Sequence, residues 1–255
     1  MGKIKLSVTI ITFNEDANIE RCLQSVTAIA DEIVVVDSYS TDGTEKICRN
    51  YEVNFIQNKF EGHIQQKNYA VAQTIHDYVL SLDADEALTE ELQKSIAQIK
   101  NDAQSDAYSL NRITSYCGQW IHYCGWYPDK KIRLWNKNKG EWGGENPHDK
   151  VLISEGGKTG HLQGDLLHFS FPSIASHVQT ANNFSEIAAI EAVRKGKKIY
   201  FAVHILLNPL FTFVSKYFFK LGLLDGFYGF VICVLSGYAN FLKYTKIWQL
   251  KKDGK

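Results

Sequence analysis

Short apolar runs, each followed by a polar turn and a helix-spaced segment, recur through the first third of the chain and narrow its possible folds. Leu6–Thr12, Glu32–Asp37, 53–56 and Tyr78–Asp83 are rich in Val, Ile and Leu and bounded by polar residues, the pattern of strands buried on both faces. Between them, 16–28 sets Ile19, Cys22, Leu23 and Val26 on one helical face, and 44–51 and 65–74 read as further helices, with an amphipathic helix at 88–99. This alternation predicts βαβ units, hence an α/β fold with a mostly parallel sheet flanked by helices. Ligands of such sheets bind beyond the carboxyl ends of the strands, and two of the predicted strands end in carboxylates, Asp37 and Asp83.

Residues 80–86 (LSLDADE) run a strand into an Asp-x-Asp turn, so that Asp83 and Asp85 share one side of an extended segment. Hard carboxylate oxygens there suit Mg²⁺ or Mn²⁺, either of which would hold a diphosphate. Taken alone, the motif reads rather as a solvated acidic turn, since surface acids are common; its position at the end of the fourth strand favours the metal reading. Nucleotidyl transfer also uses paired carboxylates, but 12–15 (TFNE) is not the basic Gly-rich loop that binds a triphosphate. Neither GxxxxGK[ST] nor GxGxxG follows the first strand, which excludes P-loop and dinucleotide-binding readings.

Beyond 108 the character changes to Trp, Tyr, His and Gly with little periodicity, read either as a sugar-stacking region or as a loop-rich β segment with core aromatics. The C-terminal part holds two uncharged runs of 17 residues, 199–215 and 226–242, the first interrupted by Asn208-Pro209. Each lies at the lower limit for a membrane span. The formal charge is zero, yet residues 194–255 carry 11 basic residues against Asp225 and Asp253, a net of +9, while residues 1–193 carry −9. Basic residues flanking apolar helices suit an anionic membrane surface; a buried helical hairpin or a dimer interface is the other reading. The expected division is therefore a catalytic domain over 1–193 and a basic, apolar helical tail over 194–255. Five cysteines without a CxxC pair argue for reduced thiols. The apolar run after Lys5 meets Asn14 and Glu15 too soon for a signal peptide, so the catalytic part is expected in the cytoplasm.

Four segments, 8–15 (VTIITFNE), 34–44 (VVVDSYSTDGT), 66–68 (QKN) and 82–86 (LDADE), occur in the order and spacing of the inverting nucleotide-sugar glycosyltransferases of family two. The chain resembles that family, which implies the GT-A (Rossmann-like) fold. The second half, through 125–129 (GWYPD), 133–135 (RLW), 146–149 (NPHD), 164–168 (GDLLH) and 224–226 (LDG), is similar to β-glucosyltransferases of the lipopolysaccharide inner core. The resemblance implies that Thr12, Asn14, Glu15 and Asp37 hold uracil and ribose, and that Lys67 lies near the diphosphate. It also implies that Asp83 and Ala84 border the nucleotide sugar, and that Asp85 with His168 holds the metal, although a lone histidine without a metal role explains His168 as well. Asp149 is the expected general base, with Glu145 and Asp129 in reserve. Trp126, Tyr127 and Trp142 either stack on donor or acceptor sugar or pack in the core. Two departures are visible: Ser38 stands where the family commonly has a second Asp, and Asp149 where its relatives commonly have Glu.

The implied function is transfer of a sugar, glucose by the branch resemblance, from UDP-glucose to a lipopolysaccharide-core or other lipid-linked glycan. A polyprenyl-phosphate or another cell-surface polysaccharide is the alternative acceptor. The reaction would be a metal-assisted in-line displacement at the cytoplasmic face of the inner membrane, with no nucleic-acid partner. A non-catalytic membrane-binding module would explain the tail but not the order of Asp37, Asp85 and Asp149.

Overall fold

Strand β1 (Leu6–Thr12) lies at the centre of the parallel region of the sheet, its Leu6, Val8 and Ile10 fully buried. The structure, a computed structural model of the chain, describes residues 2–145 and 148–253, without the side chains of Glu145 and His148. Helix α1 (Ile19–Thr27) closes one face of β1 with Ile19, Cys22, Leu23 and Val26, all fully buried and all on the helical face read from the sequence. β2 (Glu32–Asp37), α2 (Thr44–Cys48), β3 (Asn54–Gln57), α3 (His63–Ala72) and β4 (Tyr78–Asp83) complete the alternation. Val34 and Val36 of β2 face the opposite layer, where Ala70 of α3 packs on them. Burial on both faces is why these strands read as continuous apolar runs.

After β4 come β5 (Glu86–Leu88), α4 (Glu90–Asn101), β6 (Ala107–Tyr116), β7 (Gln119–Ile121), β8 (Asp129–Asn136), β9 (Gly140–Glu145), β10 (His148–Ile153) and β11 (Thr159–Phe171). The sheet order is β3-β2-β1-β4-β8-β6-β11-β5. β1 pairs in parallel with β2 and β4, and β2 with β3. β8 runs antiparallel to β4 and β6, and β11 antiparallel to β5. The expected mostly parallel sheet is thus a mixed one. The parallel part stops at β4: from β6 to β11 the strands follow one another without crossover helices, and such connections yield antiparallel pairs.

The chain divides into two compact units, Met1–Ile113 with Asp129–Phe169, and Thr114–Pro128 with Ser170–Lys255. This differs from the expected boundary at 193. α5 (Ile174–Arg194) belongs to the second unit, where Ala189 and Ala192 pack with Ile205, Tyr244 and Ile247. Within that unit a helical stretch, Phe201–Phe219, contains α6 (Asn208–Val214), and α7 (Gly226–Lys252) follows. Pro209 does not break the first stretch: wide π-type turns at Phe201–Leu207 precede α6 and accommodate the missing N–H. Asp225 is buried, and its carboxylate accepts from the His122 and Tyr123 N–H groups at 3.1 and 2.9 Å, which accounts for an acid inside an apolar tail. Phe201–Phe219 and Gly222–Lys252 are long and apolar enough to cross a membrane, and their most apolar windows are only 6% and 33% buried.

Candidate active site

The carboxyl ends of β1, β2 and β4 converge, with Thr12 opposite Asp37 and Ile11 opposite Asp83. Asn14 has φ of 53°, a conformation that Asn tolerates better than most residues. Its N–H donates to Ser40 Oγ and its Oδ1 accepts from the Thr41 N–H, both at 2.8 Å. Glu15 N–H donates to Thr44 Oγ1 at 2.9 Å, so the turns after β1 and β2 are joined into one surface. Thr12 Oγ1 is buried without a partner among the described residues. Burial pushes the Glu15 carboxyl up; the Asn18 hydrogen bond opposes this, and the charges of Asp85, Asp42 and Asp83 reinforce it.

Asp37 ends β2. Its carboxylate is fully buried, accepting from the Ser40 N–H at 2.8 Å and from Ser40 Oγ. Each oxygen accepts one bond within the turn that follows β2, so Asp37 shapes this turn at the carboxyl end of the strand, and each oxygen keeps a further lone pair.

Residues 66–68 of α3 tie three elements together. Gln66 donates to Ser38 Oγ at 3.1 Å, and Asn68 exchanges hydrogen bonds of 3.0 and 2.8 Å with the Trp142 backbone on β9. Lys67, between them, is buried with its Nζ 3.0 Å from Asp83 and 2.8 Å from Asp149, and 4.4 Å from the centre of the Trp142 ring. The candidate base and the first Asp of the Asp-x-Asp turn therefore share one ammonium, although they lie 66 positions apart in the sequence. Arg133 on β8 reaches Asp83 at 3.2 Å and the buried Glu86 at 2.6 Å, and Arg112 on β6 reaches Glu86 at 3.3 Å and Asp129 at 2.8 Å. Burial alone would push the Asp83 carboxyl up, but Lys67 and Arg133 outweigh it and hold the group well below the usual carboxylate range. Ala84, buried between the two acids, donates its N–H to Ile11 O at 3.2 Å and fastens the turn to β1.

His168 arrives from the far end of the sequence by a backbone device. Gly164 has φ of +89°, and a Cβ there would fall 2.3 Å from the Leu92 backbone N. Only glycine lets β11 pass this close to the start of α4. The register that follows sets His168 opposite Glu86 and brings its Nε2 to 3.2 Å from Asp85 Oδ2. A carboxylate and an imidazole fit Mn²⁺, and one or two protein ligands are what Mg²⁺ or Mn²⁺ commonly take when phosphate oxygens complete the shell. No cluster of three or more His, Cys, Asp or Glu suited to a metal occurs among the described residues, so the pair fits an ion only together with a diphosphate.

A cavity of about 580 Å³ opens in the first unit, bordered by Lys67, Asp83, Trp142 and Asp149 and by side chains of β8 and β10. Trp142 is 4% exposed, set edge-on to Trp135 and bonded through Nε1 to Ser81 Oγ at 3.3 Å, so it is chiefly a core residue with one face under Lys67. Trp126 and Tyr127 belong to the second unit. Trp126 packs there against Tyr116, Phe171 and His177, and Tyr127 against His122; core packing is the reading their contacts favour. Asp129 is held by Arg112 and Lys131. Asn146 and Pro147 lie outside the described residues, as do the side chains of Glu145 and His148. Sequence reasoning missed the roles of Arg112, Arg133 and Glu86. The available signal was three cations within 130–133 on a strand otherwise bound for the core.

The family profile "Glycosyl transferase family 2" matches residues 7–153. An uncharacterized glycosyltransferase of Rickettsia typhi is 33% identical over 256 residues, covering 96% of this chain and 87% of the relative. The chain belongs to glycosyl transferase family 2, and its mixed α/β architecture is the GT-A type. It is a glycosyltransferase with a nucleotide-sugar donor. The lipopolysaccharide core biosynthesis glycosyltransferase LpsC of Rhizobium meliloti is 28% identical, covering 97% of this chain and 93% of LpsC. The S. aureus TarS 1–349 structure in complex with UDP-GlcNAc aligns over 99% of this chain and 93% of that one, with a TM-score of 0.47 and 14% identity.

Proposed function

We propose that the protein transfers glucose, with inversion, from UDP-glucose to a lipopolysaccharide-core acceptor at a membrane surface. One observation carries the mechanistic part: Asp149 lines the cavity and is tied through Lys67 to Asp83 of the Asp-x-Asp turn, at 2.8 and 3.0 Å. Inversion in one displacement needs a base on the acceptor hydroxyl, opposite the departing diphosphate. Asp149 takes that proton on its carboxylate. Lys67 orients Asp149 and Asp83 together, and Trp142 beneath the ammonium excludes water from that side. The Thr12–Glu15 backbone and the unpartnered Thr12 Oγ1 receive the nucleoside, with Asp37 holding the adjacent turn in shape. Asp85 and His168 would hold Mg²⁺ or Mn²⁺, which supplies Lewis-acid stabilisation of the leaving diphosphate.

The lipopolysaccharide acceptor draws support from the resemblance to inner-core enzymes and from the full-length similarity to LpsC. Membrane association draws support from the second unit, where Leu210, Phe211, Phe218 and Phe219 are each more than half exposed, a run that an apolar interface would cover. The deciding experiment is a nucleotide-sugar screen read out as UDP release with delipidated core oligosaccharide as acceptor. UDP release from UDP-glucose that depends on the oligosaccharide is the expected result; pyrophosphate release from nucleoside triphosphates would overturn the reading. For the membrane part, the full chain should float with anionic vesicles and Phe211→Glu/Phe219→Glu should not. Equal flotation of both would remove the apolar surface as the anchor.

A further inference from the structure

The cavity beside Asp149 carries more positive charge than its own ion pairs consume. Lys67 is committed to Asp83 and Asp149, Arg133 to Asp83 and Glu86, and Arg112 to Glu86 and Asp129. Lys131 shares the Asp129 carboxylate with Arg112, at 3.1 Å. Lys130 and Lys150 also line the cavity, both exposed, and neither forms an ion pair among the described residues. The only carboxylates on the cavity wall, among the described residues, are Asp83 and Asp149, and both are already paired. Buried Arg133 adds two guanidinium nitrogens, Nε and Nη1, without hydrogen-bond partners. Like charges gathered on one concave surface repel one another and focus a positive potential into the cleft.

We infer that the wall formed by Lys130, Lys131 and Lys150 is an anion subsite that binds a phosphate or carboxylate group carried by the acceptor sugar. The proposal rests on the reading that the acceptor hydroxyl meets Asp149. An uncharged acceptor would gain nothing from three ammonium groups at this wall, whereas an anionic substituent would form charge-assisted hydrogen bonds there. The donor diphosphate is a poorer match, because Asp85 and His168, the residues suited to a metal–diphosphate pair, do not line this cavity. Two strands supply the subsite, Lys130 and Lys131 from β8 and Lys150 from β10. The anion would therefore lie between β8 and β10, next to the proposed base.

The test uses the full chain, with Lys130→Ala/Lys150→Ala as the variant and Lys130→Arg/Lys150→Arg as the charge-keeping control. Binding of glucose 6-phosphate, glucuronate, glucose and UDP is measured by calorimetry without turnover. The wild type should bind the phosphorylated and carboxylated sugars and not glucose. The Ala variant should weaken them by about tenfold per lysine, roughly a hundredfold in all, the Arg variant should restore most of that, and UDP affinity should stay within about twofold. Equal weakening of UDP would assign the lysines to the donor diphosphate and overturn the inference, as would unchanged sugar-anion binding. Phosphatidylglycerol vesicles form a second arm: loss of vesicle binding with retained sugar-anion binding would make the lysines a headgroup site and also overturn it. Should no nucleotide sugar be turned over while the lysine-dependent sugar-anion binding persists, the proposed function fails and the subsite stands.

Discussion

Replacing Asp149 with Asn tests the proposed chemistry most directly, because the substitution keeps shape and removes the carboxylate. Asp149 is 14% exposed and Lys67 4%, with 2.8 Å between Oδ2 and Nζ. Losing one partner of a buried pair commonly costs about 3–5 kcal/mol. The cost here should be smaller, since Lys67 keeps Asp83 at 3.0 Å and the Asn carbonyl still accepts from Nζ. A loss of about 1–2 kcal/mol is expected, or roughly 2–8 °C in Tm for a chain of this size. The catalytic loss should be far larger, because a positioned general base contributes about 10²–10⁴-fold. The assay compares UDP release with and without core oligosaccharide, alongside calorimetric UDP binding and a thermal melt. The expected pattern is a kcat lower by about 10²–10⁴-fold with UDP affinity within roughly threefold of wild type. Asp149→Glu, which lengthens the reach but keeps the carboxylate, should recover part of the rate. A variant Asp149→Asn that turns over within about fivefold of wild type would refute the base assignment, since a positioned general base typically contributes about 10²-fold or more.

Other consequences are open to measurement. Lys67→Met strips both Asp83 and Asp149 of their shared cation and should destabilise by about 3–5 kcal/mol, read by urea unfolding; a change below about 1 kcal/mol would show that the pairs contribute nothing net. Gly164→Ala forces a side chain into φ of +89° and onto the Leu92 backbone. It should cost about 3 kcal/mol, or roughly 6–12 °C in Tm, and uncouple His168 from Asp85, seen as weaker Mn²⁺ binding in the presence of UDP. His168→Ala should weaken that same Mn²⁺ binding by about tenfold while leaving UDP binding without metal unchanged. Burial pushes His177 below its ordinary value of 6.5. The unfolded chain then binds the proton more readily, so stability is complete above pH 6.5 and declines as pH falls below it, by at most about 1.4 kcal/mol per pH unit. Melts from pH 7.5 to 5 should show this slope for the wild type and a flatter one for His177→Phe.

The parallel half of the fold was legible because its information is local. β1, β2 and β4 announce themselves as apolar runs, and α1 buries the four residues its spacing named. The Asp-x-Asp turn was legible for the same reason, since a strand end is a local event. Asp37 was harder to read: sequence places an acid at a strand end but does not say that Ser40 will donate to both its oxygens. The aromatics of the middle region could not be assigned from spacing, because a Trp that packs edge-on to another Trp and one that stacks on a sugar have the same local pattern.

What the sequence determined by itself, then, is which segments of the first hundred residues are the main strands and helices, where the acids of the site fall, and that a basic, apolar tail follows an acidic domain. Tertiary structure decided the rest. It made the sheet mixed, moved α5 into the second unit, and chose which charges meet. Lys67 touches both Asp83 and Asp149, and Arg133 touches both Asp83 and Glu86, only because α3, β4, β8 and β10 come together. Hydrophobic periodicity depends on neighbours three or four positions away, whereas an ion pair across 82 positions depends on where the sheet brings two backbones together. The surplus of lysines beside Asp149 becomes visible only when those pairs are drawn and the unpaired cations remain.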